Sequence, residues 1–380
     1  MFVKESKNKS IFKTYMIYFI CMLCFLAVRI AYSNGLLRFG DEVFDDIFVG
    51  LIIQVGIMFL LPMLLYCNLM KVKPKNVFNT CNYYKLNKRA ILICFAIGII
   101  AFLINIASST FFNVIIHFFG YESSSGVSTK TYSIANFIID LVITALLPAL
   151  CEEFLHRGIL LQGTKHMGFG KAIILSSLMF GFMHFNINQF FYAFIVGILM
   201  GLISVVAKNI WPAVIVHFTN NAIGVYLEYA TANKWFGGNF YDVLNNFFSS
   251  TSLIFTFLIV FIALSLIFIL LTYLIFLLYK LTILRKVEKA INEVYSSDSV
   301  QVQNSPISLK SQTAVKNIVE STTTLNLDFE NMKNPIEVVM PKQPNIYNPT
   351  LKDKTFLIGS SVLGSLVTFF TFLWGVIYWK

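Results

Sequence analysis

Residues 141–157 read LVITALLPALCEEFLHR. From Leu141 to Leu150 the only polar side chain is Thr144, and two carboxylates, Glu152 and Glu153, follow Cys151. With the residues before it the run covers 136–154, about the length that crosses a bilayer as a helix. Adjacent residues on a helix point roughly 100° apart, so the two carboxylates cannot share one role. Glu153 and Arg157 stand four residues apart and can pair along the helix. Glu152 then faces elsewhere, with His156 as its only neighbour in sequence able to carry positive charge. Pro148 should kink the helix and free a backbone carbonyl. A carboxylate held in a partly apolar pocket has a raised pKa, which suits a general base near neutral pH. On these residues alone, a charged helix end at the membrane surface fits equally well.

The rest of the chain is of the same kind. Of 380 residues, 57% are hydrophobic and only 13% charged, too little charge to cover a soluble domain of this length. Apolar runs lie near 15–32, 47–67, 90–116, 136–154, 172–186, 189–206, 210–229, 252–278 and 355–379. They are continuous rather than alternating, which excludes a β-barrel and predicts an all-α polytopic transmembrane bundle of about eight core spans plus one C-terminal span. The net charge of +10 orients this bundle and does not mark a nucleic-acid partner. With a cytoplasmic N-terminus, the inner segments hold Lys4, Lys7, Lys71, Lys73, Lys85, Lys88, Arg89, Arg157, Lys165, Lys208 and Lys280, while the outer loops hold Arg38, Lys130 and Lys234. That is the positive-inside pattern. The first span reads as an uncleaved signal-anchor. The six cysteines read as buried thiols, with only Cys81 in a polar loop.

Three units follow: a bundle over 1–285 with its motif core at 135–230, a disordered cytoplasmic segment over 286–354, and a transmembrane helix over 355–380. The middle unit is rich in Ser, Thr, Asn and Pro, and such segments recruit protein partners. Gly197 and Gly201 give the sixth span a face that a neighbouring helix can approach closely. Arg29 is placed to snorkel, and Asp140 reads as a capping or packing residue.

Ionisable groups at membrane depth cost about 2.5–3.5 kcal/mol each on insertion scales, so each calls for a reason. His184 lies inside the fifth apolar run, and His217 and Asn221 lie four residues apart on one face of the seventh. Two donors stacked on a buried face can bind an oxyanion as it develops on a scissile carbonyl. A shared cavity would explain why three spans each carry such groups.

Glu152-Glu153-Phe154-Leu155-His156-Arg157, Phe180-Gly181-Phe182-Met183-His184 and His217-Phe218-Thr219-Asn220-Asn221 reproduce EExxxR, FxxxH and HxxxN, in that order. In these motifs the chain resembles the CAAX-protease and bacteriocin-processing (Rce1-like, or Abi) family of intramembrane glutamic endopeptidases. The resemblance is strong over residues 135–230. It implies that Glu152 activates a water that His184 helps to position, and that His217 and Asn221 stabilise the oxyanion. Glu153 and Arg157 would support the site, with Phe180 packed beside it.

No cofactor is expected. A zinc shell of Glu152, His184 and His217 is the lesser reading, since HExxH is absent and Asn221 would be an unusual ligand. The alternative function is a non-catalytic membrane scaffold or bacteriocin-immunity protein that keeps the fold. The expected partners are the lipid bilayer and a membrane-tethered peptide or protein reaching a site open near the inner leaflet, with a further protein partner recruited through 286–354. The expected setting is the plasma membrane of a bacterium. One requirement is geometric. In these spans Glu152 lies only a few residues from the inner end and His184 about 13, a mismatch of over 10 Å that a displaced or tilted fifth helix must remove.

Overall fold

The computed structural model describes residues 2–121, 130–250, 253–284 and 350–378, and every regular element among them is helical. Helix α1 (Phe2–Ser33) is followed by α2 (Glu42–Leu51), which continues through a π-helical stretch at Ile52–Leu60 into α3 (Leu61–Met70). The short α4 (Pro74–Thr80) leads to α5 (Lys88–Phe118). A composite helix then joins α6 (Ile134–Asp140), α7 (Leu147–Glu153) and α8 (Leu161–Thr164) through π-helical stretches at Leu141–Leu146 and Phe154–Leu160. Next come α9 (Phe169–Met183), α10 (Ile187–Ala207), α11 (Trp211–Asn233), α12 (Phe240–Ser250), α13 (Leu253–Tyr279) and α14 (Thr355–Tyr378). Seven helical segments among the described residues are long and apolar enough to cross a membrane. The remaining two apolar runs form the 15-residue α9 and the more polar α11.

Local chemistry sets the helix ends. Asp41, Asn87, Ser133 and Asn186 cap α2, α5, α6 and α10, each side-chain oxygen accepting from a backbone N–H of the first turn. Lys71, Lys208 and Lys234 end α3, α10 and α11 in the left-handed region that normally favours glycine. Gly98 of α5 lies so close to α11 that an added Cβ would fall 2.5 Å from Thr219 Cβ. Gly197 and Gly201 do the same for α9, where an added Cβ would meet Ser177 and Ile173 at 3.1 Å.

Two sequence expectations need correction, and two others gain detail. The fourth apolar run does not end at 154; the helix continues to Met167, and Arg157 is buried within it rather than flanking it. Cys81 is 1% exposed, packed beneath Gly158 instead of lying in a solvated loop. Arg29 is exposed, as a snorkelling residue would be, and its Nη1 also donates to the His184 carbonyl at 2.7 Å. Asp140 forms an ion pair with Lys130 at 2.8 Å and accepts from Tyr229 Oη at 2.7 Å.

The N-terminal helix belongs to the core, with Ile11, Tyr15, Ile17, Tyr18 and Met22 buried. Helix α14 runs parallel to it. Phe356 packs on Phe12 and Phe19 near one end, and toward the other Thr371 Oγ1 accepts from the Ile187 N–H. The stretch expected to be disordered falls, over 286–349, outside the described residues.

Candidate active site

The site forms where the composite helix, α9 and α11 meet. Helix α9 is only about 22 Å long, shorter than the roughly 30 Å hydrocarbon core. It stops at His184, and Phe185 takes a left-handed φ of 48° before Asn186 restarts the chain as α10. A bulky residue in that conformation is strained, and burial of the Phe185 ring against Phe25 at 5.7 Å holds it. Meanwhile Glu152 lies twelve residues above Thr164, about 18 Å along the helix. The expected depth mismatch therefore disappears: Glu152 is deeper than the apolar run suggested, and His184 ends a short helix. Glu152, His184, His217 and Asn221 line one cavity of about 640 Å³, with Phe180 in its wall.

Glu152 accepts from Gln54 Nε2 at 2.8 Å. The other amide atom of Gln54, Oε1, is buried without a partner. His184 Nδ1 lies 2.8 Å from the Phe180 carbonyl, an acceptor only, so the proton sits on Nδ1 and Nε2 keeps its lone pair. Arg157 and Glu153 are both wholly buried and paired at 2.8 Å, as their spacing predicted. The same Glu153 oxygen also faces His217 Nδ1 at 2.9 Å, which orients the ring and fixes its Nδ1 proton. Arg157 Nη2 donates to the Gly197 carbonyl at 2.9 Å, so the glycine face of α10 holds the cation as well as letting α9 approach. Phe180 joins these parts. His156, His184 and His217 pack edge-on to its ring at 5.0–5.6 Å, and the Arg157 guanidinium lies 4.8 Å from its centre.

Asn221 is engaged from both ends. Its Oδ1 accepts from Asn220 Nδ2 at 2.9 Å, and its Nδ2 donates to the Thr144 carbonyl at 3.1 Å. Thr144 stands four residues before Pro148 in the π-helical stretch, so an α-helical register would leave this carbonyl without a backbone N–H. Asn220 in turn accepts from Asn105 Nδ2 at 3.2 Å, and Asn105 accepts from Ser109 Oγ at 3.1 Å. Gln54 and Asn105 stand outside the three motifs and are not among the residues expected at the site. Each is an amide set in an otherwise apolar run, and that is the signal that would have found them.

Residues 134–223 match the family model of the Rce1-like type II CAAX prenyl endopeptidases. No curated protein and no solved structure gives a match. The Rce1-like segment begins with α6, ends in α11, and holds all three motifs. Its residues supply most of the cavity's polar groups, while Gln54, Asn105 and Ser109 come from α2–α3 and α5 outside it. Among the described residues, no three His, Cys, Asp or Glu side chains cluster as a metal shell.

The cavity does not lie toward the basic helix ends. Those ends share one side: Asn209 Nδ2 donates to the Tyr84 carbonyl at 2.8 Å, and Lys13 Nζ to the Leu69 carbonyl at 2.6 Å. Between them and the site every residue from Glu153 to Leu161 is buried, about 13 Å of packed helix. The lining instead runs from His217 and Met200 to Asn113, Glu228 and Tyr241, near the opposite ends of α5, α11 and α12. The lining thus leads away from the basic ends, where the opening was expected.

Proposed function

We propose that this protein is an intramembrane endopeptidase that hydrolyses membrane-associated peptides or proteins without a metal. The observation that carries the reading is the convergence of Glu152, His184, His217 and Asn221 on one cavity inside a segment that matches a peptidase family. Glu152 takes a proton from a water whose other hydrogen is accepted by His184 Nε2. The resulting hydroxide adds to the scissile carbonyl, and collapse of the tetrahedral intermediate expels the amine, which takes the proton from Glu152. Asn221 has one N–H left to offer the oxyanion beyond the one given to Thr144. His217 can donate through Nε2 only as the doubly protonated ring, because its Nδ1 proton is committed to Glu153. In this scheme the buried Glu153 does for His217 what the carboxylate of a Ser-His-Asp triad does for its histidine.

The family description suggests a prenylated protein C-terminus, but the proposed setting, a bacterial plasma membrane with the basic helix ends cytoplasmic, favours a membrane-associated peptide precursor. The test is cleavage by purified, detergent-solubilised protein of a prenylated CAAX peptide and of membrane-anchored peptide pools, with and without chelator. Chelator-resistant cleavage abolished by Glu152→Ala supports the scheme. Cleavage lost with chelator restores the metal, and equal cleavage by both proteins removes Glu152 from the role of base.

A further inference from the structure

The cavity joins two regions of unlike character. Its deep end, at His217, Phe180 and Met200, is closed by packed helix. Ile203–Ala207 of α10 and Phe154–Leu161 of the composite helix are buried without exception. Its other end widens among polar residues whose exposure rises along the helices. Ser109 is half-buried, while the adjacent Thr110 and Asn113 one turn further on are exposed, as are Glu228 and Tyr241. At Gly224, which lines this half, an added Cβ would meet nothing within 4 Å. The lining leads from Glu152 toward this end, and packed core separates it from the other.

Charge assigns the two ends to the two sides of the membrane. Lys71, Lys73, Lys88, Arg89, Lys165 and Lys208 gather at the closed end, and Lys130 and Lys234 lie at the open one. Basic residues in short loops mark the cytoplasmic side. Beside the cavity Lys130 is tied to its acidic neighbours, donating to Asp140 at 2.8 Å and to Glu228 at 2.9 Å. Partial burial works against the Lys130 ammonium, but these two hydrogen bonds more than reverse that and hold its pKa above the ordinary lysine range. What the mouth then offers a ligand is amide and hydroxyl, from Asn113, Gln189, Thr110 and Ser109. Such groups pair with the N–H and C=O of an extended polypeptide and have no particular use for an anionic headgroup.

We infer that the site takes its substrate from the extracytoplasmic side, as an extended, largely uncharged polypeptide segment: an exported peptide, or the outer juxtamembrane stretch of an anchored protein. This rests on the peptidase reading for the chemistry but not for the access. The amphipathic α12, with Tyr241 in the cavity wall, borders the mouth where such a segment would lie on the membrane surface.

Access can be measured without any substrate. Cysteine is introduced singly at Gly224, Asn113 and, as a control at the basic end, Lys208, in the full-length chain. Labelling by a charged, membrane-impermeant maleimide is then compared in intact cells and in inside-out vesicles, after subtracting that of the unsubstituted chain. We expect Gly224→Cys and Asn113→Cys to react at least tenfold faster from outside, and Lys208→Cys only in the vesicles. Reaction of Gly224→Cys from the cytoplasmic face alone, or from neither face, overturns the proposal. Either result leaves the Glu152→Ala comparison intact, so failure of the access route and failure of the peptidase reading are separable.

Discussion

The buried Glu153–Arg157 pair makes a sharp prediction, because its geometry separates stability from chemistry. Both side chains are 0% exposed and lie 2.8 Å apart, yet Glu153 Oε2 and Arg157 Nε have no hydrogen-bond partner. Each such orphaned atom forgoes about 1–3 kcal/mol of hydration, so attraction within the pair is largely offset by desolvation. Removing one partner is different, since it strands a full charge. Arg157→Met leaves the carboxylate with His217 alone and should destabilise by about 3–5 kcal/mol, as should Glu153→Leu, which strands the guanidinium. The double variant Glu153→Leu/Arg157→Met strands neither and should recover most of that loss. It should not recover activity, because His217 Nδ1 no longer has an acceptor and its ring is free to change tautomer. The assays are thermal unfolding in detergent and peptide cleavage on the same preparations. A double variant no more stable than the singles would refute the stranded-charge argument. One that cleaves like wild type would refute the role given to Glu153.

Three further outcomes follow from single positions. Gln54→Glu sets a second carboxylate against Glu152, and like charge disfavours ionisation, so the acid limb of the kcat/KM profile should move up by about one pH unit or more; an unmoved limb would place Gln54 away from the base. Burial pushes the Cys81 thiol up to about 12, and a group that holds its proton more tightly when folded stabilises the protein fully below its unfolded pKa and progressively less as pH rises toward its folded one. Stability should thus fall as pH climbs from about 8.5 toward that value, and Cys81→Ala should flatten this loss in unfolding measurements across the range. Lys208 ends α10 at a φ of 47° and is exposed, so Lys208→Gly should raise stability by about 0.5–1 kcal/mol while Lys208→Ala does not.

Much of this site was readable from sequence because its logic is local. The Glu153–Arg157 spacing, the proline before Glu152 and the shared face of His217 and Asn221 are all consequences of helical periodicity. What could not be read were the helix ends. An arginine ordinarily closes an apolar run, but Arg157 is neutralised by a partner one turn earlier and stays inside, which lengthens the helix to Met167 and moves Glu152 deeper. His184 seemed to lie within a span, and nothing nearby in sequence marks it as a terminus: Phe185 is a poor left-handed residue, held there by Phe25 and by Arg29 from a helix 155 residues away. The direction of the cavity was hidden for the same reason, since it depends on which helix segments are sealed by neighbours.

Asn221 shows how a structural and a chemical role can be told apart. Pro148 lacks the N–H that an α-helical register would turn toward the Thr144 carbonyl, and Asn221 donates to that carbonyl at 3.1 Å. Leaving that carbonyl bare would cost about 1–3 kcal/mol, so Asn221→Ala would damage the fold around Glu152 even if Asn221 never touched substrate. Inactivity of that variant alone therefore assigns nothing. Pro148→Ala restores the backbone donor and removes the need for the side chain. If Asn221 serves only the helix, Pro148→Ala/Asn221→Ala should regain cleavage together with stability. If its remaining N–H meets the oxyanion, the double variant should unfold like wild type yet remain at least about tenfold slower, the lower range for loss of one such donor being about a hundredfold. The proposed mechanism requires the second result, and recovery of full activity would leave His217 as the only donor to the oxyanion.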